Sequence, residues 1–260
     1  MAAMDDGRRL GADADRAQLG IIVKMPAAAT VELAGHAGFD IVLIDMEHGS
    51  GDMTELEHHV RAADSAGIRV MVRVSHADSA DVLRALDAGA CGVVIPHASS
   101  PAVVREANAR VRYPPEGRRS LALSTRAGRH GLRSLHEHLE QARCESTLIA
   151  QVEDMEALAC LPELLEVNGL DGIFIGPADL SASLGRPGDL DDPVVSDAIE
   201  RVVAEVLARP RLALCVLAAD EHEARSWIER GARLILFNAP ALMAGRLTAI
   251  AAALQPVPDL

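Results

Sequence analysis

A chain of 260 residues with a formal charge of −13 is too acidic for nucleic acid to be its main partner, because phosphate binding asks for a basic surface. Apolar residues make up 49% and charged residues 24%, the proportions of a globular protein, and no apolar run is long enough to span a bilayer. Aromatics are only 2%, so a core must come from Leu, Val, Ile and Ala; the four scattered cysteines form no C-x-x-C pair and point to a reducing compartment, the cytoplasm.

Residues 1–17, MAAMDDGRRLGADADRA, are charged and lack an apolar centre. They predict a flexible segment, neither signal peptide nor membrane anchor. Residues 18–260 then predict a single domain. Eight short apolar runs have the length of buried strands: Leu19–Lys24, Ile41–Asp45, Arg69–Arg73, Gly92–Pro96, Leu148–Val152, Gly172–Ile175, Leu212–Val216 and Leu234–Phe237. Most are continuous rather than alternating, as expected when both faces of a parallel sheet are covered.

Helical patterns lie between the runs, and several end in glycine shortly before the next strand. Thr30–His36 is followed by Gly38, Glu55–Ala66 by Gly67, Ala80–Ala88 by Gly89, Met155–Val167 by Gly169 and Ala219–Arg230 by Gly231. Glycine closes a helix by adopting the left-handed conformation. Thr54 with Glu57 three residues on reads as a capping box opening the second helix. Eight rounds of strand and helix predict an α/β fold, a (β/α)8 TIM barrel, with a doubly wound open sheet as the alternative.

One connection breaks the rhythm. After the helix Pro101–Val111, residues 112–133 carry turn residues and no period, and connections of that length are usually functional or disordered. From Arg105 to Arg133 eight arginines face Glu106 and Glu116, a net +6 in an acidic protein. The patch reads equally as a subunit contact, an anion-attracting rim or a solvated basic loop.

Reactive groups in a (β/α)8 barrel sit where the strands end. Strand two ends in Asp45-Met46-Glu47-His48 and strand three in Arg73; Asp87 precedes strand four; strand five leads to Gln151 and Glu153, and strand six to Gly176-Pro177-Ala178-Asp179. Glu153 and Asp179 are each readable as helix N-terminal acids, favourable against the dipole. Together, at the ends of adjacent parallel strands, they suit a hard divalent cation with open positions. His36, His58, His59, His76, His97, His130, His136 and His138 are read as ordinary loop or surface histidines.

The stretches GFDIVLIDMEH, ALDAG, RYPPEGRRS, QVED and GLDGIFIGPADLS, with Arg73, closely resemble the class II, metal-dependent pyruvate aldolases. That family includes 4-hydroxy-2-oxoheptanedioate and 2-dehydro-3-deoxyglucarate aldolases, within the broader aldolase and citrate lyase group. The resemblance covers roughly Leu19 to Asp220. It implies a barrel of the phosphoenolpyruvate/pyruvate-binding type, with Glu153 and Asp179 as ligands of Mg²⁺ or Mn²⁺, Co²⁺ being a further option. It also implies that Arg73 steadies the substrate and its enolate oxygen. By the same resemblance His48 is the acid–base histidine, Asp87 the carboxylate paired with it, and Asp45 the residue ordering this network. Gln151 and the backbone of Gly176, Pro177 and Ala178 would line the oxo-acid pocket. The implied partners are a small 2-oxo acid, an aldehyde and further copies of the chain, as trimers or hexamers, with a C-terminal helix against a neighbour. The chain departs from the family at Lys24-Met25-Pro26 and at Phe237-Asn238-Ala239-Pro240, both at the barrel mouth, where the aldehyde is chosen.

The activity this implies is reversible cleavage of a 4-hydroxy-2-oxo acid through a metal-stabilised enolate. The alternative is a metal-independent or decarboxylating relative that uses oxaloacetate, such as a citrate-forming enzyme. Lys24, the only lysine, is the one candidate for a Schiff-base route, which would leave the two carboxylates without a role. A catalytically silent barrel used for binding is the non-enzymatic reading.

Overall fold

Every strand of the sheet pairs in parallel with its neighbours in sequence, and the last pairs with the first. The computed structural model describes residues 16–254. Its strands are β1 (Gln18–Val23), β2 (Ile41–Asp45), β3 (Arg69–Arg73), β4 (Gly92–Ile95), β5 (Thr147–Val152), β6 (Gly172–Ile175), β7 (Ala213–Leu217) and β8 (Leu234–Asn238). They close in the order β1 to β8 as an eight-stranded barrel, with Ile21 of β1 opposite Phe237 of β8. The open-sheet alternative is thereby excluded. All but two residues of the expected N-terminal segment, and the tail after Leu254, lie outside the described residues.

Alternation along each strand divides the apolar residues into two cores. Ile22, Ile41, Leu43, Met71, Val94, Ile149, Phe174, Cys215, Leu234 and Leu236 fill the barrel interior. Their neighbours one residue along, such as Val42, Val72, Val93, Leu148 and Ile173, face the surrounding helices. This is why the strands read as continuous apolar runs.

The connecting helices are α1 (Ala28–His36), α2 (Met53–Ala66), α3 (Asp81–Ala88), α4 (Pro101–Val111), α5 (Leu135–Glu145), α6 (Met155–Ala159), α7 (Leu161–Leu165), α8 (Pro177–Ser183), α9 (Pro193–Leu207), α10 (Glu221–Glu229) and α11 (Ala239–Leu254). The five glycines expected to close helices all have positive φ, from 69° at Gly67 to 107° at Gly89. Two local expectations fail. The cap of α2 is Asp52, whose carboxylate accepts from Thr54 and Glu55 N–H at 2.8 and 3.0 Å, so Thr54 is already inside the helix. The single helix expected over Met155–Val167 is two, because Pro162 has no amide hydrogen and its ring blocks continuation from α6.

Several arginines of the basic connection are taken up in ion pairs, while much of its backbone lies at the surface. Arg112 reaches Asp171 at 2.7 Å and the Gly169 carbonyl at 3.1 Å; Arg119 reaches Asp87 at 2.8 Å; Arg118 pairs with Glu106 and Arg126 with Asp64. Asp171 Oδ2 also accepts from Leu148 N–H, so Arg112 clamps the end of the barrel where β5 and β6 begin.

Candidate active site

The polar site continues the barrel's inward series by one more layer. Along β2 the inward side chains run Ile41, Leu43, Asp45; along β3 Met71 leads to Arg73; along β5 Ile149 leads to Gln151 and then Glu153. Period two therefore aims four polar groups into the mouth, directly above an aliphatic plug. Asp45, Arg73, Gln151 and Glu153 are each no more than 6% exposed.

Buried so deeply, these groups need partners, and they find one another. Arg73 grips Asp45 with two bonds, Nε to Oδ1 at 3.0 Å and Nη2 to Oδ2 at 2.5 Å. Its Nη1 donates to Gln151 Oε1 at 3.2 Å, and Gln151 Nε2 in turn donates to Glu153 Oε2. Three of the five guanidinium N–H groups are thus used, leaving two for a ligand oxygen. Asp45 Oδ1 also accepts from the backbone N–H of Glu47 and His48, at 3.1 and 3.2 Å, and so shapes the turn after β2. Lys24 Nζ stands 3.5 Å from Asp45 Oδ2.

Burial pushes the Asp45 carboxyl up, but the Arg73 guanidinium, by hydrogen bond and charge, holds it below the usual carboxylate range. Glu153 goes the other way. Burial raises it most, the His97 amide opposes that, and the charges of Glu47 and Asp179 push it up further. Glu47 Oε2 is buried, lies 3.2 Å from Arg73 Nε, and accepts no hydrogen bond.

Gly176 closes the pocket wall. A Cβ there would come within 2.8 Å of Gln151 Nε2 and of Glu153 Oε2, so only glycine lets β6 pass so close to the carboxylate. Pro177 and Ala178 begin α8, and Asp179 stands exposed on its first turn, near enough for its charge to act on Glu153.

Two residues to which the sequence assigned no role belong here. Glu47 Oε1 lies 3.5 Å from His97 Nε2, and His97 Nδ1 lies 3.4 Å from Glu153 Oε1. Glu47, His97 and Glu153 offer donor atoms within 4.8 Å of one another, the only such set of three among the described residues. The signal available for His97 was its place two residues after β4, at the same end as the others.

Asp87 is the one expected site residue that the fold separates from its partner. It lies in the last turn of α3, and helices in this barrel run opposite to the strands, so Asp87 sits at the end where strands begin. There it pairs with Arg119, not with His48 of the same chain. His48 is on the mouth, its side chain 54% exposed and its Nε2 3.8 Å from Glu47 Oε2.

Asp45, Glu47, Glu153 and Asp179 gather at the mouth, where Arg73 and Lys24 are the Arg and Lys side chains paired with them among the described residues. A divalent cation would balance that surplus and relieve the raised Glu153, and Glu47, His97 and Glu153 offer it donor atoms, so the donor set fits one.

The profile of the HpcH/HpaI aldolase/citrate lyase family matches residues 18–237. A hydroxypyruvate/pyruvate aldolase of Sagittula stellata is 36% identical over 230 residues, covering 88% of this chain and 90% of that one. A 4-hydroxy-2-oxo-heptane-1,7-dioate aldolase of Escherichia coli is 31% identical over 262 residues, covering 97% and 99%. The crystal structure of an HpcH/HpaI aldolase/citrate lyase family protein from Burkholderia cenocepacia superposes with a TM-score of 0.86 at 33% identity, over 93% of this chain and 95% of that one.

Proposed function

The chain belongs to the HpcH/HpaI aldolase/citrate lyase family and is a carbon–carbon lyase, and from that premise we propose how its mouth does the chemistry. The substrate is a 4-hydroxy-2-oxo acid, cleaved reversibly to pyruvate, or a related 2-oxo acid, and an aldehyde. The observation that carries this is the buried line Asp45–Arg73–Gln151–Glu153 with carboxylates in surplus around it.

Glu153 and Asp179 would hold the divalent cation, Mg²⁺ or Mn²⁺ with Co²⁺ as a further option. When bound it supplies Lewis-acid stabilisation of charge developing on the keto oxygen. Arg73, fixed by Asp45, turns its two remaining N–H groups to the substrate carboxylate and keto oxygen, which adds the positive charge an anionic substrate requires. Gln151 keeps Arg73 and Glu153 in register, and the Gly176–Ala178 backbone bounds the oxo-acid pocket. In the cleavage direction the 4-hydroxyl proton leaves, the bond between C3 and C4 breaks, and its electron pair becomes the enolate; His48 takes that proton and returns it in synthesis. Lys24 and Asn238 border the mouth at the positions that depart from the family, and they select the aldehyde. The same enolate arises by loss of carbon dioxide from oxaloacetate, expected as a side reaction.

The citrate-forming alternative is not favoured, since the similar enzymes above are named as aldolases. Further copies of the chain are the expected partner, with α11 against a neighbour. The cytoplasm is the expected compartment, in keeping with four unpaired cysteines. The direct test is chelation followed by add-back, with pyruvate release from a 4-hydroxy-2-oxo acid as the readout. Activity should vanish and return with Mg²⁺ or Mn²⁺; full turnover under chelator would reject the reading.

A further inference from the structure

We propose that His97 is a third, nitrogen ligand of the cation, and that it biases the site toward Co²⁺ over Mg²⁺. The inference rests on the metal-dependent reading above and deepens it. His97 follows β4 at the barrel mouth, and its ring lies between two carboxylates, 3.5 Å from Glu47 Oε1 and 3.4 Å from Glu153 Oε1. Its backbone N–H donates to the same Glu153 oxygen at 2.6 Å, which fixes the residue against the carboxylate assigned to the metal.

The backbone adds an independent sign. His97 has φ of +48°, in the left-handed region that non-glycine residues seldom occupy. Such strain persists where surrounding structure enforces it, and it clusters at ligand sites. The side chain is 62% exposed, and its ring nitrogens lie nearest the carboxylates of Glu47, Glu153 and Asp154. What the conformation achieves is to turn an imidazole inward over Glu47 and Glu153.

Donor chemistry then sets the preference. Mg²⁺ favours oxygen and gives up water reluctantly, whereas imidazole suits the later divalent ions of the first transition row. An all-carboxylate pair would discriminate weakly. Adding one nitrogen should widen the gap between Co²⁺ and Mg²⁺.

The test uses the full chain, with metal binding read directly. His97→Asn is the variant, because asparagine tolerates the left-handed backbone while removing the imidazole. Bound Mn²⁺ in the wild type should show ¹⁴N coupling by pulsed electron paramagnetic resonance, lost in His97→Asn and kept in His48→Ala. By equilibrium titration, His97→Asn should weaken Co²⁺ by about tenfold or more while moving Mg²⁺ far less. Coupling that survives His97→Asn, or equal losses for Co²⁺ and Mg²⁺, overturns the inference. If the wild type binds neither Mn²⁺ nor Mg²⁺, the functional reading itself fails; if Glu153→Gln abolishes binding but His97→Asn leaves the coupling intact, only the role of His97 fails.

Discussion

Arg73 makes its bonds to Asp45 and Gln151 from a position almost wholly out of water, and both consequences are measurable. Arg73→Lys keeps the charge but cannot make the forked pair with Asp45, so kcat should fall by about 10²- to 10³-fold with the fold retained. Arg73→Met leaves Asp45 buried without its counter-ion and should cost about 3–5 kcal/mol in urea unfolding. Unchanged unfolding in Arg73→Met would mean that the pair does not hold the mouth together. Asp45, Arg73, Gln151 and Glu153 were legible because each extends an alternating strand pattern that the aliphatic residues establish. The roles of Glu47, named only as a strand-end acid, and of His97 were not, since both lie in turns where no period says which way a side chain faces. Asp87 stands apart from His48 of the same chain for a related reason: adjacency to a strand in sequence does not say at which end of the barrel a helix residue stands.

Among the elements, α2 separates two accounts of how a helix begins. Its cap is Asp52, so Asp52→Ala should cost about 1 kcal/mol, while Thr54→Ala should cost little. The opposite order in urea melts would restore the capping box read from Thr54 and Glu57. The same helix carries a pH dependence. His59 is buried, its Nε2 accepts from Ala27 N–H at 3.1 Å, and burial pulls its pKa below the ordinary histidine value. On α5, His138 is also buried, beside the Tyr113 hydroxyl at 2.9 Å, and is lowered by burial and by Arg119. A base with a depressed folded pKa binds fewer protons folded than unfolded, so stability is full above about pH 6.5 and is lost below it. Unfolding midpoints should fall from pH 7.5 to about 5.5, with a shallower decline in His59→Gln. An identical decline in that variant would remove His59 from the account. The boundaries of β2, β3 and β6 could be read residue for residue, since continuous burial leaves a sharp apolar run. The purpose of residues 112–133 could not, because ion pairs such as Arg112–Asp171 link positions far apart in the chain.

For the molecule as a whole, the barrel was legible from eight repeats and their closing glycines, and the scarcity of aromatics agrees with an interior filled mainly by aliphatic layers. No helix among the described residues is long and apolar enough to cross a membrane. α11 leaves Leu242, Met243, Leu247, Ile250 and Leu254 at least 40% exposed, an unusual amount of apolar surface for one helix of an acidic protein. A second copy of the chain is the expected cover. Leu247→Glu should therefore lower the mass seen by sedimentation while the circular dichroism spectrum stays unchanged; an unaltered mass would assign that face elsewhere.

The central claim, a cation held at Glu153 that lets pyruvate become an enolate, is tested most directly by following the pyruvate methyl group in D₂O by NMR. Deuterium should enter that methyl when Mg²⁺ or Mn²⁺ is supplied, and should not enter under chelator or in Glu153→Gln. Exchange at the same rate with the metal stripped away would contradict it.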